Sequence, residues 1–112
     1  MAISDDYKDA LDLVDEAIEF TRNALDDHPP LNEKRLLQDA LDALNIKRGV
    51  LQARFNQAKN AATAVVGPTP DQIARVATLS NEVESATRDA LVASASVALA
   101  TKVLDLATSI VG

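Results

Sequence analysis

Apolar residues recur along the chain at alternating spacings of four and three, the seam of a packed helix. The first run is Tyr7, Leu11, Val14, Ile18 and Leu25, with Thr21 filling the remaining step. A second run is Leu37, Leu41, Leu44, Leu51, Phe55, Ala58, Ala62 and Val65, interrupted at one seam position by Arg48. The third covers Val76, Leu79, Val83, Ala86, Ala90, Ala93, Val97, Ala100, Leu104, Ala107 and Val111 without a polar residue. No alternating β-branched run competes with these periods, so the pattern predicts an all-α chain.

Two proline sites set the boundaries. His28-Pro29-Pro30 must end the first helix and Gly67-Pro68-Thr69-Pro70 the second, because proline removes an amide donor and restricts the residue before it. Ser4 before Asp5 and Asp6 suits a helix start, as does Asn32 before Glu33. Thr69 before Pro70 fits a cap followed by proline at the first helical position. Helices over about 5–27, 32–65 and 70–111 follow. Together they predict a single domain, an elongated antiparallel three-helix bundle with a long helix 2–helix 3 hairpin. The alternative breaks helix 3 near Ser94–Ser96 and folds its end back as a fourth helix.

The third helix changes character after Asp89. From there to Gly112 only Lys102 and Asp105 are charged. A helix apolar on nearly every side needs cover. If its seam faces helix 2, the face bearing Leu91, Ala95, Leu99, Val103, Leu106 and Ile110 is left over. That strip is the predicted protein-binding surface, for a second copy or a helical partner. The apolar 61–66 hairpin tip is expected to be under-covered as well.

Charge is divided by helix. Residues 1–30 hold nine acids and two bases, residues 31–67 three acids and six bases, and residues 68–112 five acids and three bases. An acidic first helix folded on a basic second one is the simplest use of that asymmetry. Arg48 is expected to form a register-setting ion pair with Asp9, Asp12 or Glu16. Gly49 costs about 1 kcal/mol in a helix interior, and close packing near Ala86 is one reason to keep it. The outward carboxylates of helix 1 read as a solvated face.

Composition narrows function by class. Cysteine is absent and His28 is the single histidine, so neither a thiolate site nor a usual zinc site can be assembled. No phosphate-cradling loop, nucleophile elbow or HExxH occurs. No catalytic residue, cofactor or metal is therefore expected. A net charge of −6 disfavours nucleic acid as a partner, since Lys47, Arg48, Arg54 and Lys59 are a sparse basic patch. The expectation is a soluble, cytoplasmic, non-enzymatic interaction or assembly module, with leaderless export left open. The alternative is a membrane-active protein inserting residues 90–112 or the 61–66 tip, at the cost of burying Lys102 and Asp105.

Overall fold

A computed structural model of the protein describes residues 3–60, 66–89 and 91–111. Its elements are α1 (Ile3–Asp26), α2 (Leu31–Asn60), α3 (Pro70–Asp89) and α4 (Ala93–Val111). The fold is all-α, and no strand occurs among the described residues.

The expected third helix is two helices. The described residues Leu91 and Val92 lie outside both α3 and α4, so the break falls just ahead of the Ser94–Ser96 position considered from sequence. No glycine or proline marks it. The reason is burial: an unbroken helix from 70 to 111 would run about 60 Å, while α1 offers only about 36 Å of cover. Folding back buries Leu99, Val103, Leu106 and Ile110. Four such side chains contribute about 1.5–3 kcal/mol each. Breaking a few helical hydrogen bonds costs about 1 kcal/mol net for each. Burial wins.

Four contacts orient the helices. Tyr7 at the start of α1 donates its hydroxyl to the Val66 carbonyl. Gln72 at the start of α3 donates to Ser109 near the end of α4. Arg54 near the end of α2 donates to the Val111 carbonyl at the end of α4. Ser80 in mid-α3 donates to Glu16 in mid-α1. Thus α1 and α3 run one way, and α2 and α4 the other.

Consecutive helices are not always neighbours. The α1–α2 pair is joined by the tight Pro29-Pro30 turn and packs along its length, whereas α2 and α3 make no contact among the described residues. The long helix 2–helix 3 hairpin is therefore replaced by a diagonal crossover: α2 packs on α1 and α4, and α3 packs on α1 and α4. The described end of the crossover lies over the N-terminus of α1. There a side chain at Gly67 would meet the Ile3 side chain at 3.1 Å, a close approach that would need Ile3 to give way by a few tenths of an ångström. Residues 61–65 of the expected hairpin tip lie outside the described residues, and Val66 is exposed.

Of the expected helix starts, that of α3 keeps its cap, whereas α1 and α2 begin at Ile3 and Leu31, so Ser4 and Asn32 lie inside the helices rather than ahead of them. At α3 the Thr69 hydroxyl accepts from the Gln72 amide at 3.2 Å, and the Gln72 side chain accepts from the Thr69 amide at 2.9 Å. This is a reciprocal capping box. At the end of α1, His28 turns the chain with φ 54° and donates its amide to Leu25 O. Its backbone terminates the helix by a left-handed residue ahead of the prolines. The result is a rod of 47 × 22 × 17 Å. Its core joins Tyr7, Leu11, Val14, Ile18, Leu44, Leu51, Val83 and Val103.

Candidate functional site

The strip predicted to bind a partner divides between core and surface. Leu99, Val103, Leu106 and Ile110 are buried by the chain's own helices. Leu91 is 38% exposed and Ala95 half-buried. The strip is thus not a bare face. With Leu91 and Val92 outside the helices, α4 turns so that Leu99, Val103, Leu106 and Ile110 share the core with Ala100 and Ala107.

Where α3 meets α4, however, the strip is only partly covered. The two helices enclose an open groove of two adjoining depressions. The one nearer the break at Leu91 and Val92 measures about 640 Å³ and is floored by Ala86, Leu91, Ala95, Ala98 and Leu99. The next, about 390 Å³, has Leu79 and Leu106 as its apolar floor, with Arg75, Glu82, Lys102 and Asp105 around it. Four of the six predicted residues, Leu91, Ala95, Leu99 and Leu106, line this groove. Val103 and Ile110 do not.

The groove is open because α3 is narrow in its apolar content. Only Val76, Leu79, Val83 and Ala86 are buried along it. Its flanks carry short or charged side chains such as Thr78, Asn81, Glu82 and Ser85, which line the groove. A further cleft of about 350 Å³ runs along the other flank of α3, against Glu16, Glu19 and Phe20 of α1. The helix is held by one seam with open ground on either side.

Arg48 does form an ion pair with α1, but with Asp15 rather than Asp9, Asp12 or Glu16. Asp12 instead takes Lys8 at 2.7 Å within α1, Glu16 accepts from Ser80, and Asp9 is exposed. The Arg48–Asp15 pair is itself more than two-fifths exposed on both sides, so it selects the pairing of the helices and adds little stability. The Lys8 ammonium is held above its usual pKa, first by its hydrogen bond to Asp12 and then by that carboxylate's charge. Gly49 does not meet Ala86: a side chain there would find nothing within 4 Å. Among the described residues, no three histidine or carboxylate side chains come together as a metal site.

No family model, curated protein or solved structure matches the chain.

Proposed function

We propose that the protein is a non-enzymatic helical interaction module that takes a second copy or a helical partner into the α3–α4 groove. The observation that carries this reading is the groove itself, an apolar floor left open between two antiparallel helices. Helix-in-groove recognition needs such a floor with polar rims. Its small flanking residues, Ala95, Ala98, Thr78 and Ser85, allow close backbone approach.

The absence of cysteine makes the test direct. A polarity-sensitive dye on Ala98→Cys reports the groove, and the same dye on Asn56→Cys reports exposed α2 as a control. Titration with unlabelled chain, and separately with cell extract, should shift the Ala98 emission to the blue and leave the Asn56 emission unchanged. If neither titrant moves the Ala98 signal, the reading is wrong.

One observation favours a second reading, in which the protein acts on membranes. The span Ala93–Val111 is 19 residues long with mean hydropathy 1.4, and 39% of its most apolar stretch is buried. That length can cross a bilayer. The same α4 side chains are needed in the core, so insertion would have to dismantle the bundle. Co-sedimentation with neutral phosphatidylcholine vesicles separates the two: the interaction module stays in the supernatant, and a membrane-active chain pellets.

A further inference from the structure

The two tight links of the bundle reverse the chain by different means. Between α1 and α2 the reversal is written locally, by His28 at φ 54° and the prolines that follow it. Between α3 and α4 nothing local asks for one. Leu91 and Val92 supply neither glycine nor proline, and among the described residues His28 is the only non-glycine residue with positive φ. What holds α4 back is its packing on α1, α2 and α3. That packing surface accepts α4 equally well from its own chain or from a second copy.

Three observations show that a second copy fits. The first is register. Gln72 donates to the Ser109 hydroxyl at 2.8 Å, and the point midway between them in sequence falls at the link, between Ala90 and Leu91. Suppose α3 and α4 straighten into one helix and a two-fold axis passes through that point. Two copies then lie antiparallel, with Gln72 of one level with Ser109 of the other, as they are within one chain. No sliding is needed.

The second observation is the face. Leu79, Ala86, Ala93, Ala100 and Ala107 stand seven apart, so one helix presents them as a single row. Four of them are buried and Ala93 is half-buried, on both sides of the break. The third is Val92. It continues the buried run Ser96, Leu99, Val103, Leu106 and Ile110 by one further step of four, yet it is 70% exposed. A helical link brings Val92 onto that run at the axis, where the ends of the two bundles meet.

We infer that two copies of this chain exchange α4: the link straightens, α3 and α4 become one helix, and each α4 packs on α1, α2 and α3 of the other copy. Exchange of an identical element is a low-cost route to a dimer, because its contacts are those of the monomer. The dimer also regains the helical hydrogen bonds interrupted at the link. It reconciles the unbroken seam of the sequence with the burial that breaks the helix in a single chain. The inference does not rest on the groove reading. Each groove is rebuilt between α3 of one copy and α4 of the other, and its occupancy is still read by the Ala98 dye.

A mixed cross-link tests the exchange. Gln72→Cys and Ser109→Cys chains are unfolded together, refolded at millimolar concentration and treated with a short bis-maleimide. Exchange joins one chain of each kind, seen as a double-size band on denaturing electrophoresis. Either variant refolded alone gives no such band, because identical positions in the dimer are about 55 Å apart. Ala93→Pro in both chains separates the two forms. In the monomer α4 begins with the Ser96 amide donating to the Val92 carbonyl at 3.0 Å, so proline at the first helical position is accommodated. Inside a continuous helix it breaks the ladder. The variant should keep the monomer's helical circular dichroism and weaken the dimer at least about 100-fold.

Val92→Glu, exposed in the monomer, sets two carboxylates near the axis and should weaken the dimer about 10-fold. It makes the same comparison if Ala93→Pro does not fold. A wild-type chain that stays monomeric after concentrated refolding overturns the inference. So does a dimer without the mixed cross-link, since its copies then meet by another surface. A cross-link undiminished by these link substitutions overturns it as well.

Discussion

Single residues differ sharply in what they contribute, and burial decides which ones matter. Gly49 sits inside α2 with open space where a side chain would be. Gly49→Ala should therefore stabilise the fold by about 1 kcal/mol, the helix-propensity difference, seen as a higher urea midpoint. Gly67 is the opposite case, because Ile3 occupies the space beside it. Arg48 and Asp15 are half-exposed partners, so a double-mutant cycle with alanine should give a coupling of about 0–1 kcal/mol. A larger coupling would mean that this pair is shielded from water in solution. The sequence marked Arg48 as a seam residue that needs an acid, but Asp9, Asp12, Asp15 and Glu16 all lie within about two turns of α1. Only the azimuth of α1 against α2 picks Asp15.

At the scale of elements, α4 is the helix whose role changed most. Its strip is part core and part groove, and substitution should separate the two. Leu99→Ala removes a 7%-exposed side chain and should cost about 2–5 kcal/mol in chemical denaturation. Leu91→Ala, at a site 38% exposed, should cost under about 1 kcal/mol. Equal costs would mean that α4 continues α3 without the observed change of phase. Between its two clefts, α3 is the least supported element, and its central amides should exchange with deuterium faster than those of α1. The Thr69 cap ahead of Pro70 was legible in advance, but the reciprocal bond from Gln72 was not, and the expected caps Ser4 and Asn32 lie inside α1 and α2. The break at Leu91 and Val92 was not legible, because no glycine or proline stands there and the Ala/Val seam of the sequence runs past it unbroken. What breaks it is the distant apolar face of α1 and α2, which no local window contains.

The whole molecule is defined by its diagonal connection and by the return of α4. Gln72 and Ser109 are 37 residues apart in the chain. In one continuous helix they would be separated by about 55 Å; in the structure they are hydrogen-bonded. A short bis-maleimide should therefore join Gln72→Cys to Ser109→Cys within one molecule, giving a compact band on denaturing electrophoresis. Failure of that cross-link under native conditions would rule out the fold-back. The same return places Arg75, Glu82, Lys102 and Asp105 around one depression, although the sequence pattern put all four on one continuous helix.

By itself the sequence determined that the chain is helical, where its prolines end helices, how α3 is capped, and that the C-terminal stretch after Asp89 needs cover. These follow from local rules: period, turn chemistry and side-chain hydrophobicity act over a few residues, and neighbours in sequence are enough to read them. The tertiary structure decided the number of helices, which of them touch, and which acid Arg48 meets. It also decided that the C-terminal strip is mostly core, with its remainder exposed in a groove. Those outcomes depend on how much apolar surface distant segments hide from water together. That quantity belongs to the packed molecule and to no stretch of its chain.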